Sequence, residues 1–414
     1  MEPSVADQLK LAATYLANGK IVVPDKICRE ILDTDPGNAV ALNILGIVAV
    51  HIGRHSEAAE LFRSALRVNP NFGPAERNLH QLDATPGREV PPHTVDGRRF
   101  LLIKAWGFGF WADVTQVLGA LLLADLTGRI PVTHWGKNSL FTNGSEHDAF
   151  ATYFEPVSPY TVDSLEVMTG ADFFPAKWSR ANLRQDDNGK WTGLYARLGA
   201  IDYLSRPEAI AVADFYTGVI DLMPWIPKSD RLAGKTIDEV YRDLAQRYLR
   251  PRPQIMQAVD EFQRSRFDDA TIAVHYRGSD KKNEMRDFDD VNARYFDVLD
   301  RFDPKSRIFL LTDDARAAAA YRARFGERII LSDCLRTDND VGIHIRPTAD
   351  RTRLGIEVMI DTYLAMRCSA FVGNGKSNVS AVVAALKAWP AGRCTLLVPS
   401  FLSTRNIFVH LVAV

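Results

Sequence analysis

Short apolar runs alternating with helix-length segments recur twice after residue 99, and this alternation constrains the fold more than any other feature of the chain. Phe100-Leu101-Leu102-Ile103-Lys104 suits a buried strand. Trp106-Gly107-Phe108-Gly109-Phe110 follows, then an apolar helical stretch from Ala112 to Leu126, Thr127-Gly128-Arg129, and a second strand beginning at Ile130-Pro131-Val132. Strand, glycine turn, helix, strand is a βαβ unit. The Gly107-x-Gly109 turn has two readings. It either lets a helix pack tightly on a sheet, or it points backbone N–H groups at a ligand from a helix N-terminus. Helical patterning from Thr236 to Phe262, broken at Pro251-Arg252-Pro253, leads to a second unit that opens at Thr271-Ile272-Ala273-Val274. Strands are predicted from Ile308 to Leu311, Ile329 to Leu331 and Ala370 to Val372, with helices from Ala315 to Phe325, Gly355 to Arg367 and Ser377 to Lys387. Such alternation implies parallel sheets, and two α/β halves with a ligand in the crevice between them is the expected architecture. The aromatic-rich residues 136–230 resist assignment, and their loops either build an acceptor site or simply pack.

The N-terminal region is organised differently. Pro36 and Pro70 lie 34 residues apart, as do Gly19 and Gly53. Over residues 39–70, Leu45-Gly46, Gly53, Ala58, Phe62, Ala65 and Pro70 resemble a tetratricopeptide repeat. A weaker copy over residues 5–36 has Pro24 where a small helical residue is expected. Small residues such as Gly46 and Ala58 let antiparallel helices approach, while Leu45, Phe62 and Leu66 fill the seam. A third helix over 74–82 is expected to cover the open end. Arrays this short lean on a neighbour for stability. The repeats therefore read either as a docking surface for a partner or acceptor, or as a structural or dimerising cap. The Pro-, Gly- and charge-rich stretch from Asp83 to Arg99 reads as a linker. The domain expectation is a helical domain over 1–88 and α/β halves over 97–250 and 251–414.

Composition narrows the function. Fifty Lys and Arg against 51 Asp and Glu leave a net charge of -1 over 414 residues, which removes the usual electrostatic case for nucleic-acid binding. Cys28, Cys334, Cys368 and Cys394 are too scattered for a disulfide framework or zinc knuckle, which favours a reducing compartment. The N-terminus is polar, and the apolar run from Val117 to Leu126 is too short to span a bilayer. A cytoplasmic protein without integral membrane contact is expected.

The segment His275-Tyr276-Arg277-Gly278-Ser279-Asp280-Lys281 follows a predicted strand directly. The carboxyl ends of strands are where ligands bind in open α/β sheets. Cations gathered there suit an anionic ligand: Arg277 can grip phosphate with two parallel N–H bonds, Lys281 adds a point charge, and Asp280 can orient either. This segment resembles the His-x-Arg-x-x-Asp-Lys motif of the GDP-fucose-dependent α1,6-fucosyltransferases and protein O-fucosyltransferases. Leu311-Thr312-Asp313-Asp314 and the run from Gly355 to Gly375, continuing into Lys376-Ser377-Asn378, resemble that superfamily's next two motifs. Gly107, Gly109 and Thr127-Gly128-Arg129 resemble its N-terminal half more loosely.

The resemblance implies a GT-B fold and inverting, metal-independent transfer of a sugar, fucose from GDP-fucose foremost, to a hydroxyl of a glycan or protein. No cofactor is implied beyond the donor substrate. Arg277 would hold the β-phosphate, Asp361 the base, and His275 would line the same pocket. Asp313 and Asp314 would face the ribose or the reacting centre, Ser377 and Asn378 would donate to phosphate oxygens, and Gly107 and Gly109 would border the donor. The chain departs from the pattern twice. Gly278 stands where many relatives carry a second Arg, leaving Lys281 or Lys282 to offset charge. Glu284, the nearest candidate for the catalytic carboxylate, sits one residue short of the usual spacing, so Asp280 or Asp314 are alternatives. Asp33-Thr34-Asp35 and Asp338-Asn339-Asp340 match a metal-binding Asp-x-Asp, but such short acidic runs are common in loops, and no metal is expected. A UDP sugar or another GDP sugar is the alternative donor. A non-catalytic repeat scaffold with a degenerate transferase domain is the alternative class.

Overall fold

A computed structural model describes residues 3–84, 91–144, 147–185, 198–278, 288–339 and 350–404. Five helices come first: α1 (Val5–Ala17), α2 (Val22–Thr34), α3 (Ala39–His51), α4 (His55–Val68) and α5 (Gly73–Ala84). The chain reverses between them at Gly19 and Gly53, both at positive φ. A methyl at Gly46 would stand 2.3 Å from the Phe62 ring, so α3 and α4 reach their spacing only because position 46 has no side chain. Pro24, the misfit in the first repeat, lies in the first turn of α2, where a missing N–H costs no hydrogen bond.

Two parallel sheets follow. The first runs β2-β1-β4-β3, with β1 at Phe100–Lys104, β2 at Ile130–His134, β3 at Phe173–Phe174 and β4 at Ile210–Ala213. The second runs β7-β6-β5-β8-β9, with β5 at Ile272–His275, β6 at Ile308–Leu311, β7 at Ile329–Ile330, β8 at Ala370–Gly373 and β9 at Cys394–Leu396. Every pairing is parallel. In the second sheet successive strands step outward from β5 to β7, and the chain then returns to pair β8 against the other side of β5. That reversal opens a crevice at the strands' carboxyl ends. The first sheet has the same discontinuity between β1 and β4.

One helix joins the halves. α6 (Phe110–Thr127) is buried almost all round and ends on Gly128 in the left-handed conformation. It is longer than the apolar run read from sequence and meets the length and composition of a membrane span, but it lies inside the protein. Its residues share one core with Met359, Ala381, Val382 and Ala385 of the second half. The remaining helices are α7 (Phe150–Tyr153), α8 (Val162–Glu166), α9 (Val219–Leu222), α10 (Ile237–Tyr248), α11 (Pro253–Arg266), α12 (Phe288–Leu299), α13 (Ala315–Phe325), α14 (Arg351–Arg367) and α15 (Asn378–Leu386). α10 packs on both α6 and α15, and Trp111 Nε1 donates to Thr362 Oγ1 at 2.7 Å across the halves.

The helical segment is docked as well. The face of α2 from Val22 to Cys28 is buried, and the segment's core continues into Ile201 and Trp225 of the first half. Arg29 lies over the Trp225 ring at 4.8 Å. Within the stretch read as a linker, His93 Nδ1 and Asp172 Oδ2 of the same half stand 2.6 Å apart.

A methyl at Gly119 would stand 1.9 Å from the Thr217 carbonyl oxygen. Gly119→Ala should therefore push α6 off the loop after β4 and destabilise the protein by about 1–3 kcal/mol, the range for overpacking. A urea midpoint equal to wild type would contradict this account of the helix seat.

Candidate functional site

The two crevices open on one cavity of about 680 Å³, lined by both halves and by Lys26 of α2. On the second-half side, β5 delivers His275 and Arg277. His275 pairs in register with Leu311 of β6 and Gly373 of β8, which places it at the sheet's reversal. Its Nδ1 shares a hydrogen bond with Ser380 Oγ at 2.7 Å, and Ser380 Oγ also accepts the Asn374 N–H at 3.1 Å. The Tyr295 hydroxyl donates to the His275 carbonyl at 2.6 Å. Burial first, and the Arg277 charge second, push the imidazole down to about 3, so it stands in the cavity uncharged at neutral pH.

Arg277 is held by Asp313, with Nη1 to Oδ2 at 3.0 Å, and both line the cavity. The Gly278 N–H donates to the other Asp313 oxygen at 3.4 Å. Asp313 therefore orients the guanidinium and itself lines the cavity, where the expectation sets it facing the ribose or the reacting centre. Asp361 is buried on α14 and lines the cavity. Burial raises its carboxyl to about 6, against the lowering effect of the neighbouring Ser332, Arg336 and Cys334 side chains.

Two helices begin here, α6 of 18 residues and α15 of 9. Gly109 is the N-cap of α6 and Ser377 the N-cap of α15, and both line the cavity with Asn378. A Cβ at Gly109 would lie 4.0 Å from Asn378 Nδ2, so the two N-termini come close together at the cavity. Each brings unpaired N–H groups and a partial positive charge. Behind the first, the Asp113 carboxylate accepts the Gly107 and Phe108 N–H groups at 3.0 and 3.2 Å and fixes the turn. Gly107 serves that turn, at φ +91°, and is not among the cavity-lining residues.

One expectation is corrected. Asp314 is turned away from the cavity. It caps α13, accepting the Arg316 and Ala317 N–H groups and pairing with the Arg316 guanidinium at 3.0 Å. Burial alone would raise its carboxyl, but those hydrogen bonds outweigh it and hold it below the ordinary range. Asp314 also explains Gly278, since a Cβ there would stand 2.5 Å from Asp314 Cβ and exclude a second Arg. Asp280, Lys281, Lys282 and Glu284 lie outside the described residues. In the Asp-x-Asp runs, Asp33 and Asp35 fall at the end of α2, and Asp340 lies outside the described residues.

Sequence reasoning passed over several lining groups. Lys376 had a signal, since it precedes Ser377 directly, and it is an exposed cation at the cavity. Trp106, Tyr216, Asp221 and Lys26 had none beyond their residue types, because only the fold brings them together.

No protein-family model matches this chain, and no curated protein sequence does. Solved structures that align with it include fucosyltransferase NodZ from Bradyrhizobium, at 19% identity over 70% of this chain and 94% of that one, with a TM-score of 0.48. A variant of Arabidopsis thaliana FUT1 in complex with GDP aligns at 13% identity over 82% of this chain and 80% of that one, with a TM-score of 0.42. POFUT1 in its apo form aligns at 11% identity over 73% and 99%, with a TM-score of 0.40. These likenesses are too distant to carry a function, which is argued below from the site.

Asp314→Ala should cost about 1 kcal/mol of stability through the lost cap. Denaturant unfolding checks this, and a midpoint equal to wild type would contradict the capping role.

Proposed function

We propose that this chain is a GT-B-type glycosyltransferase that takes its donor as a nucleoside diphosphate sugar, GDP-fucose foremost. The observation that carries the reading is the convergence of the α6 and α15 N-termini with Arg277 at the reversal of the second sheet. A diphosphate offers two to three negative charges, and the two helix N-termini, the Arg277 guanidinium oriented by Asp313 and the exposed Lys376 ammonium turn N–H donors toward it. Asp361 supports guanine. A carboxylate accepts the base's N1–H and exocyclic N–H together, whereas uracil turns carbonyl oxygens toward the same group.

The acceptor hydroxyl oxygen forms a bond to the sugar's anomeric carbon as the bond to the β-phosphate oxygen breaks, which inverts the configuration. The electron pair leaves with the diphosphate, where Arg277 and the two N-termini stabilise the developing charge. The hydroxyl proton passes to a carboxylate, for which Glu284 and Asp280 remain the candidates. Neutral His275, anchored by Ser380, packs beside Arg277 without adding to the charge. The acceptor is a hydroxyl of a glycan or protein. The buried face of α2 favours the cap reading of the repeats over a free docking surface. All four cysteines are unpaired thiols, which supports a cytoplasmic site of action.

Four outcomes follow from the proposal. Arg277→Ala should weaken GDP binding roughly 10–100-fold by calorimetry and abolish transfer, while thermal unfolding stays cooperative. Near-normal turnover by that variant would remove the site assignment. The Asp361 carboxyl sits above its unfolded value, so it accepts from guanine only above about pH 6. GDP affinity should therefore fall roughly fourfold from pH 7.5 to 5.5, and Asp361→Asn should flatten that dependence. By the same sign, the raised carboxyl opposes folding as pH climbs from about 4 to 6, and Asp361→Asn should relieve this in denaturation series. Finally, donor hydrolysis across a panel of nucleotide sugars, with and without excess chelator, should show one GDP sugar turned over equally in both. Turnover of none would favour the scaffold reading.

A further inference from the structure

Among the described residues three Lys and Arg side chains line the cavity, Lys26, Arg277 and Lys376, and they differ in what already meets their charge. Lys26 Nζ stands 3.2 Å from Asp221 Oδ2, and Arg277 Nη1 stands 3.0 Å from Asp313 Oδ2. Lys376 is exposed, and no carboxylate among the described residues lies within ion-pair distance of it.

The fold places that ammonium where it is electrostatically disfavoured. Lys376 directly precedes Ser377, the N-cap of α15, and the α6 N-terminus comes close at Gly109. Helix N-termini carry partial positive charge and repel a cation. The turn that carries Lys376 is nevertheless fixed from several sides. The Lys376 N–H donates to Asn374 Oδ1 at 3.0 Å, and the Phe401 N–H donates to the Gly375 carbonyl at 3.0 Å. A Cβ at Gly375 would stand 2.4 Å from the Val398 carbonyl oxygen. Ser377 is 6% exposed and lines the cavity, yet its hydroxyl makes no capping bond to α15. A buried hydroxyl without its usual cap partner, beside an ammonium set against two positive helix ends, calls for an anion.

The sheet says which anion site this is. β5 and β8 pair with His275 opposite Gly373, so Arg277, two residues beyond, and Lys376, three beyond, leave adjacent strands at the same edge. A side chain at position 278 would reach that edge too, but Asp314 occupies the space its Cβ needs.

We infer that Lys376 is the leaving-group cation of the diphosphate site, supplying from the turn between β8 and α15 the charge that position 278 cannot carry. The inference rests on the donor reading and adds a division of labour to it. Arg277, oriented by Asp313, fixes where the diphosphate lies. Lys376, on a flexible stem, follows the negative charge as it builds on the departing oxygen. Its removal is therefore felt more in turnover than in ground-state affinity.

The full chain is tested by calorimetry with GDP and with guanosine, and by steady-state turnover of the GDP sugar it accepts. Lys376→Met should weaken GDP binding roughly three- to fivefold and lower kcat roughly 10–100-fold. Guanosine affinity should not change, and Lys376→Arg should restore most of both losses. Without nucleotide, the urea midpoint of Lys376→Met should equal or exceed that of wild type, because a repelled charge has been removed. Unchanged GDP affinity and kcat in Lys376→Met, an equal loss for guanosine, or a loss in Lys281→Met with none in Lys376→Met would overturn the inference while leaving the donor reading intact. A wild-type chain that binds no GDP would overturn the donor reading, and this inference with it.

Discussion

The cleft depends on the burial of α6. An 18-residue helix enclosed by both halves cannot shift without opening a shared core that includes Met359, Ala381 and Val382 on the far side. Its position is set at one end by the Asp113 carboxylate, which ties the Gly107-Phe108 turn back onto the helix, and midway by the contact of Gly119 with Thr217. Because only a short turn separates β1 from α6, holding the helix also holds Trp106 and Phe108 and keeps its N-terminus close to that of α15. A cleft between two sheets is commonly pictured as a hinge. Here a common hydrophobic core joins its walls.

The sequence made much of this legible, and the boundary of what it showed is physical. β1, β6 and α13 were readable to the residue because a buried parallel strand is a short apolar run and an amphipathic helix repeats at 3.6 residues. The motif residues at strand ends were readable because charge beyond an apolar run is costly without a purpose. The role of Asp314 was not, since an Asp at a strand's end and an Asp at a helix's start are the same residue in Thr312-Asp313-Asp314. Only the observed bonds to Arg316 and Ala317 decide between them. Gly278 looked like a lost cation and is a packing requirement against Asp314. Trp106 and Tyr216 lie 110 residues apart, a proximity that no local pattern encodes.

The helical segment also changes meaning once seen in place. A repeat array invites the idea of a free concave surface, yet α2 meets the first half through Val22, through Arg29 over Trp225 and through Lys26 paired with Asp221, while Val23, Ile27, Cys28 and Ile31 fill the segment's own core. This arrangement accounts for the shortness of the array. Two hairpins and a closing helix bury too little apolar surface by themselves, and the core they share with Ile201 and Trp225 supplies the rest.

The neighbouring N-termini of α6 and α15 have a kinetic corollary. On the proposed donor reading, a field that favours negative charge on a departing phosphate favours the departed phosphate still more, because the free nucleotide carries the charge in full. With Gly109 and Asn378 close together at the cavity, escape of the spent carrier toward solvent must climb out of that potential. The pace of each cycle would then be set by how quickly the leaving half lets go, and a salt that screens the field would hasten turnover even as it loosened capture.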